Sequence, residues 1–404
     1  MKNVRQSVLI ALWFVFLTFP IMVIRVNTVE EVVEWRWKNM LWVAAGAFVI
    51  SYVWRYLQRR KERGGKPAEA GEEPLPLVQR LMRNPRTFYP GAAVVAVFAL
   101  LFPVLFSSYQ VNIMITALIY VVLGLGLNIV VGIAGLLDLG YVAFYAVGAY
   151  SYALLNYHFG LGFWAAIPLG MLLAAMFGVL LGIPVLRLRG DYLAIVTLGF
   201  GEIIRLILEN WSEFSFGPSG IANIPRPGFF GLELSLNETT NYLYYLMILL
   251  VLFTIFVVNR LQNSRLGRSW LALREDDIAC QAMGIDRMKT KLAAFALGAT
   301  WAGMSGVIFA AKTTFINPAS FTIWESIIVL SIVVFGGMGS ILGVILGALV
   351  LILLPEYLRA FSEYRMLLFG ATMVIMMVFR PQGIITNVRR RYEFHGLEQA
   401  KQGN

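Results

Sequence analysis

Apolar segments long enough to cross a membrane dominate this chain of 404 residues. A bilayer core about 30 Å thick needs about 20 apolar helical residues per crossing, because backbone polar groups must be satisfied inside the segment. Only 14% of the residues are charged, whereas soluble domains average about 25%, so a water-soluble globule is excluded. We predict an all-α polytopic membrane protein with about 10–12 transmembrane helices. The candidate segments are residues 7–24, 40–57, 90–106, 110–131, 136–157, 163–186, 192–210, 241–258, 290–311, 323–335, 341–358 and 364–379.

The first segment resembles a secretory signal peptide, since Lys2 and Arg5 precede an apolar stretch. A signal peptide ends at a cleavage site of small residues, but residues 24–27 read Ile-Arg-Val-Asn. We therefore predict an uncleaved first helix, with a removed signal as the alternative.

A polar segment rich in glycine, proline and charged residues separates the first two predicted helices from the others. This composition is typical of a flexible linker rather than of a folded domain. The predicted organisation is a two-helix N-terminal membrane unit (1–57), a cytoplasmic linker (58–89), a membrane core (90–382) and a basic cytoplasmic tail (383–404).

The net charge of +10 follows the predicted topology. Loops rich in Lys and Arg are retained on the cytoplasmic side of a membrane. With twelve crossings the basic loops all fall on one side, so we predict that both termini are cytoplasmic and that the charge does not indicate nucleic-acid binding. The basic loops are 59–86, 187–189, 260–291 and 389–391, and the opposite loops carry Glu30, Glu31, Glu34, Glu209, Glu213, Glu233 and Glu238.

Several kinds of chemistry are missing from the sequence. The chain has no phosphate-binding loop, because its one Gly-Lys pair, Gly65-Lys66, is followed by Pro67. A single cysteine, Cys280, cannot form an internal disulfide, and two histidines far apart in sequence do not suggest a metal site. We therefore predict no catalytic residues and no metal in this chain.

Two glycine-rich stretches, 124–135 and 336–347, interrupt the apolar segments. Small residues three or four apart allow helices to pack closely, which is the simpler interpretation. The alternative is that broken helices line a passage, because irregular backbone at membrane depth survives only against protein or water. The candidate passage residues are Asn128, Asp138, Gly336, Gly337 and Ser340.

Charged residues inside apolar segments are functional candidates, because burying a charge is costly. Glu202 and Arg205 are three residues apart and share a helix face, so we predict an intramembrane ion pair, with a proton or substrate site as the alternative. Glu325 lies near the predicted outer end of its segment, where snorkelling to the surface would explain it.

The predicted cytoplasmic loop 265–285 combines an acidic cluster with apolar residues at helical spacing. We predict one short helix here that stops near Gly284. The helix is either a solvated connection or a lever that fits a groove on a cytoplasmic partner. The apolar positions are Trp270, Leu273, Ile278, Ala279 and Ala282.

This loop resembles the coupling loop of ABC-importer permeases, where an acidic residue, alanines and a later glycine dock on an ATPase. Residues 274–279 read REDDIA and 283–285 read MGI. Four other motifs are similar to those of the branched-chain amino-acid permeases of the LivHM family, in the same order between residues 110 and 382. They are LGLGLNIVVGIAG at 123–135, FYAVGAY at 144–150, LRLRGDYLAIVTLGFGE at 186–202 and VFGGMGS at 334–340.

The resemblance implies an ABC-importer permease core with a two-helix extension, in the bacterial inner membrane. It implies a LivH-like second permease, LivG- and LivF-like ATPases that bind ATP and Mg²⁺, and a periplasmic protein that delivers leucine, isoleucine or valine. This chain would then be no enzyme and hold no cofactor. The residues implied to couple to the ATPase are Arg274, Glu275, Asp276, Asp277, Ile278, Ala279, Met283 and Gly284; Asp276 and Asp277 depart from the family's Glu-Ala-Ala pattern.

Three other functions stay open at this stage. Close relatives of the family carry urea or short amides. A secondary transporter would need an intramembrane group that changes protonation, and Glu202 is the best candidate for that role. A membrane scaffold would need neither the acidic lever nor the glycine-rich passage.

Overall fold

Long apolar helices make up most of the chain that the computed structural model describes, namely residues 24–27, 32–35, 85–185, 188, 190–228, 235–357, 365–380 and 382–385. One of them, Ser108–Leu127, continues directly into a π-helical turn, Asn128–Ile133. Within these residues the helices longer than one turn are α1 Pro85–Leu105, α2 Ser108–Leu127, α3 Tyr141–Phe159, α4 Phe163–Val185, α5 Asp191–Asn210, α6 Leu236–Gln262, α7 Arg265–Glu275, α8 Asp277–Ala282, α9 Arg287–Thr313, α10 Ile323–Gly336, α11 Ile341–Tyr357 and α12 Arg365–Phe379. Single helical turns lie at Ser212–Ser215, Gly217–Ser219 and Pro318–Ser320.

The chain divides into two compact units, Met1–Phe88 and Tyr89–Asn404. In the first unit, β1 (Ile24–Asn27) and β2 (Val32–Trp35) form an antiparallel hairpin in which Ile24 lies opposite Trp35. The strands are rich in β-branched residues, which favour extended backbone. This hairpin was not predicted, whereas the helical membrane architecture that the sequence predicts is confirmed in the described residues. The predicted helices 7–24 and 40–57 lie outside the described residues, apart from Ile24.

The ten predicted core segments each contain a helix, although several boundaries differ. Helix α1 begins at Pro85, inside the predicted linker 58–89, because proline suits the first helical turn, where no backbone N–H is needed. Residues 58–84 of that linker lie outside the described residues. Helix α3 begins at Tyr141 rather than at residue 136.

Five spans in the described part of the chain are long and apolar enough to cross a membrane: Ser108–Ile133, Phe163–Val185, Asn237–Gln262, Arg287–Thr313 and Pro318–Gly336. Several helices also expose large apolar side chains, such as Val104 on α1 and Phe256 on α6. Such surfaces suit lipid or another membrane subunit, because water would penalise them.

Helices α2 and α9 form the centre of the second unit. Helix α9 packs against α2, α3 and α4, and α2 packs against α6, α9, α10 and α11. Small residues line these contacts: Gly148 on α3 faces Gly303 on α9, and Gly124 on α2 faces Val344 on α11. Close packing of this kind drives helix association where lipid supplies no hydrophobic force.

Residues 383–385 pack on the core although the sequence places them in the tail 383–404. The N–H groups of Ile384 and Ile385 donate to the carbonyls of Phe335 and Gly336, at 2.9 and 3.1 Å. These bonds satisfy carbonyls at the end of α10 that have no partner within the helix. The rest of the tail lies outside the described residues.

Candidate functional site

The helix break after α2 is the first part of the candidate site. In the π-helical turn the hydrogen bonds span five residues, as in the bond from the Ala134 N–H to the Ile129 carbonyl at 3.1 Å. The backbone is then irregular up to α3. Asn128 and Asp138 are fully buried in this segment. Close helix packing before the break therefore accompanies irregular, protein-covered backbone within it, and the passage interpretation stays a prediction.

A second turn, between α10 and α11, lies against the first break. The Gly339 N–H donates to Asn128 Oδ1 at 2.8 Å, and Gln262 Nε2 donates to the Gly339 carbonyl at 3.1 Å. Ser340 Oγ accepts a bond from the Gly343 N–H at 3.1 Å and so caps the start of α11. The structure thus brings Asn128 together with the Gly336–Ser340 turn, which the sequence marked separately.

Two buried polar atoms in the break have no hydrogen-bond partner within the described residues. They are Asn128 Nδ2 and Asp138 Oδ2; the other carboxylate oxygen of Asp138 accepts a bond from the Gly140 N–H at 2.9 Å. Buried polar atoms usually have hydrogen-bond partners. The lack of a partner for these two atoms among the described residues therefore favours contact with water or a solute.

Arg274 joins the loop helix α7 to the break. Its Nη1 donates to the Gly132 carbonyl, in the last turn before the break, at 2.6 Å. Gly135 has φ +71°, and a Cβ there would lie 2.6 Å from Arg274 Cγ, so the side chain runs where only glycine leaves room. A charge-assisted bond to a backbone carbonyl makes this a firm connection.

The prediction of a single loop helix is wrong, because Asp276 divides the segment into α7 and α8. Asp276 has extended backbone, and its Oδ1 accepts bonds from the N–H groups of Ile278 and Ala279 at 2.8 and 3.0 Å. Aspartate at this N-cap position satisfies donors that have no partner inside a helix. Part of the acidic cluster therefore has a structural role.

Asp277 holds α8 against α9. Its Oδ2 lies 3.3 Å from Lys291 Nζ and 3.6 Å from Arg287 Nη1, and the Lys291 side chain is only 6% exposed. The two aspartates that depart from the Glu-Ala-Ala pattern thus stabilise the loop through contacts with its own helices. Glu275, in contrast, is exposed.

The predicted apolar stripe splits into an inner and an outer part. Trp270 is fully buried, and its Nε1 donates to the Thr290 carbonyl at 2.8 Å, which fixes α7 on α9. Ile278 and Met283 face outward with 65% and 82% exposure. Gly284, where the sequence places the helix stop, has φ +82°. The exposed pair, flanked by Ala279 and Ala282, is called the loop patch below.

Glu202 and Arg205 are in contact on α5, as their spacing predicts. Arg205 Nε lies 2.9 Å from Glu202 Oε2, and Arg205 Nη1 lies 2.7 Å from Glu209 Oε2. An arginine that contacts two carboxylates on its own helix favours a structural ion-pair network over the alternative of a proton or substrate site.

Sequence reasoning missed a polar group at the other end of the core. Lys312 Nζ donates to Thr116 Oγ1, and Tyr120 donates to the Glu325 carboxylate, which is therefore directed at α2 rather than simply snorkelling. One available signal was Lys312 itself, a basic residue at the predicted outer end, where the charge rule leaves few.

Replacing Asn128 by alanine is expected to lower the free energy of unfolding by about 1–3 kcal/mol, because the Gly339 N–H loses its buried acceptor. Thermal unfolding of the purified protein in detergent measures the change. Asn210→Ala is the control, since Asn210 donates to the Leu206 carbonyl at an exposed position. Equal shifts in the two variants would contradict the proposed link.

Comparisons with known proteins show which family this chain resembles. The family model for the branched-chain amino acid transport system permease component matches residues 109–377. The high-affinity branched-chain amino acid transport system permease protein LivM of Escherichia coli K12 is 44% identical over 384 residues, 90% of this chain and 88% of that protein. LivM of Salmonella typhimurium is 44% identical over 381 residues, 89% of this chain and 88% of that protein.

A more distant relative is the LivH permease of the same transport system in Salmonella typhimurium, 22% identical over 287 residues, 66% of this chain and 91% of that protein. No solved structure matches the chain. The family model covers well over half of the chain, including α2 and the π-helical turn, both glycine-rich breaks and the loop helices. The chain therefore belongs to the family of permease components of branched-chain amino acid transport systems.

Proposed function

We propose that this chain is a permease subunit of an ATP-driven importer that carries leucine, isoleucine or valine into the cytoplasm. The observation that carries the proposal is 44% identity, along nearly the whole chain, to a high-affinity branched-chain amino acid permease. The protein belongs in a membrane; we propose the bacterial inner membrane, with both termini in the cytoplasm, on the basis of the basic loops.

The proposed partners are a LivH-like second permease, two LivG- and LivF-like ATPases and a periplasmic amino-acid-binding protein. Similarity to LivH supports a pairing of two related permeases around a shared passage. The sequence has no phosphate-binding loop, so ATP and Mg²⁺ would be bound by the ATPases and not by this chain.

The loop patch is the proposed docking site for an ATPase subunit. A solvated connecting helix would turn polar side chains outward, but here Ile278 and Met283 are exposed while Trp270 and Leu273 are buried. Apolar side chains grouped at the surface of a loop favour a protein partner.

The contacts around Arg274 support a mechanism of alternating access. Movement of the ATPases would displace α8 and, through the contact between Asp277 and Lys291, also α9. Helix α7 would follow because Trp270 ties it to α9. Arg274 would transmit the movement to Gly132, and Asn128 would pass it on to Gly339. Both glycine-rich breaks would then shift together, with Asn128, Asp138, Gly336, Gly337 and Ser340 as the proposed passage residues.

Uptake into cells that lack their own importers for these amino acids tests the substrate class. The expected result is uptake of labelled leucine that excess isoleucine or valine suppresses and that urea and acetamide leave unchanged. Suppression by urea or acetamide instead would assign the chain to a different solute.

Replacing Arg274 by methionine is expected to lower the number of leucine molecules transported per ATP about tenfold, because the charged bond to Gly132 is lost. ATP hydrolysis itself should stay within about twofold of wild type, since the ATPases are untouched. Arg268→Met is the control, because the bond that Arg268 donates stays within its own loop, to the Asn263 carbonyl at 3.2 Å. A matching loss in both variants would refute the transmission role.

A further inference from the structure

Two charged side chains at the predicted outer ends of their helices form hydrogen bonds with neutral partners. Lys312 on α9 donates to Thr116, and Glu325 on α10 accepts a hydrogen bond from Tyr120. Both side chains are half-buried, and neither forms an ion pair within the part of the chain that the structure describes. Charges held inside a membrane protein without opposite partners are costly and mark sites of function.

The two neutral partners lie one helical turn apart on α2. Thr116 and Tyr120 are four residues apart on α2, which is about 6 Å along the axis on one helix face. One turn earlier, Asn112 is exposed, whereas Thr116 and Tyr120 are half-buried. A polar stripe therefore leads from the surface to the two charges.

An aromatic cluster lies beside both charges. Phe309 precedes Lys312 by one turn, Phe321 lies just before Glu325, and their ring centroids are 5.9 Å apart. Tyr145 on α3 lies 5.3 Å from Phe309 and 5.4 Å from Phe321, between ring centroids. The cluster offers an apolar surface next to a positive and a negative group.

The ring of Tyr150 extends this cluster, 6.1 Å from Phe321. Its hydroxyl is buried and has no hydrogen-bond partner among the described residues. A buried hydroxyl of this kind is available to a bound solute or to water.

We propose that these side chains form an outer binding site for a zwitterionic α-amino acid. Lys312 and Thr116 would bind its carboxylate, Glu325 and Tyr120 its ammonium group, and the aromatic cluster its side chain. Opposite charges that bond to adjacent turns of α2 match a solute that carries both charges on one carbon, whereas a neutral amide needs neither. The proposal rests on the proposed function and extends it by naming residues that contact the substrate.

Binding of labelled leucine to the purified transporter complex, without the binding protein, tests the site. Two unlabelled competitors each lack one charge of leucine: leucinamide has no carboxylate, and 4-methylpentanoate has no ammonium group. Lys312→Met should reduce the preference for leucine over leucinamide about tenfold and leave the preference over 4-methylpentanoate unchanged. Glu325→Gln should reduce the preference for leucine over 4-methylpentanoate about tenfold and leave the preference over leucinamide unchanged. The conservative variants Lys312→Arg and Glu325→Asp should keep both preferences.

The chain offers matched controls for both variants. Lys289 lies at the other end of α9 with its side chain 87% exposed, and Glu356 accepts a hydrogen bond from Tyr109 on α2, like Glu325 from Tyr120. Lys289→Met and Glu356→Gln should leave both preferences unchanged.

Two results would overturn the site. The first is no saturable leucine binding to the wild-type complex. The second is that Lys312→Met does not change the preference over leucinamide, or that Glu325→Gln does not change the preference over 4-methylpentanoate. ATP-driven leucine uptake by the same wild-type preparation is measured in parallel. If uptake persists, the proposed function stands while this site falls.

Discussion

Replacing Ile278 and Met283 together by aspartate is expected to abolish ATP-driven leucine uptake. Both side chains are exposed in the loop patch, so the change should leave the fold of the permease intact. Burying each side chain against a partner contributes about 1.5–3 kcal/mol, and a buried, unpaired carboxylate costs more than that contribution. We therefore expect at least about a hundredfold weaker binding of the ATPases. Co-purification of the ATPase subunits and uptake by the same preparation measure the two effects.

Leu266→Asp is the matched control for the loop patch. Leu266 is also exposed, at 45%, but it lies in the first turn of α7, next to the end of α6. The control should retain the ATPases and transport leucine. ATPase subunits that remain bound to the double variant at wild-type levels would place the docking surface elsewhere.

Replacing Gly337 by valine is expected to prevent assembly of a folded complex. Gly337 has φ +114°, where a β-branched residue is strongly disfavoured, and an added Cβ would lie 2.4 Å from the Ile385 carbonyl. Strained backbone alone costs about 1–3 kcal/mol, and the clash displaces the segment that caps α10. The yield of monodisperse complex in size-exclusion chromatography, at equal expression, measures the loss.

Gly160→Val separates backbone strain from the clash. Gly160 also has positive φ, +62°, but a Cβ there would meet nothing within 4 Å. This variant should lose much less complex than Gly337→Val. The sequence alone suggests that a bulky residue at Gly337 blocks the passage and leaves assembly intact; an assembled but inactive Gly337→Val complex would support that simpler role.

The helices of the core could be predicted because membrane crossing imposes a length and an apolar composition on each segment. Their ends were less predictable, since local capping decides them. Asp276 illustrates the difference: its carboxylate in an acidic cluster suggests a docking group, but the backbone N–H groups of α8 use it as a cap.

The contacts within the candidate site could not be predicted, because they join residues far apart in sequence. Asn128 and Gly339 are separated by 211 positions, and Arg274 and Gly132 by 142. The sequence motifs single out each of these residues, but a motif does not show that two residues are in contact. The same limit explains why Lys312 was missed, since its partner Thr116 is 196 positions away.

Leucine uptake into proteoliposomes that contain the purified complex, with ATP enclosed and loaded binding protein outside, distinguishes an ATP-driven importer from an ion-coupled transporter. We predict uptake that requires the enclosed ATP and is unaffected by a protonophore. Uptake that continues without ATP and collapses when the protonophore is added would contradict the proposal.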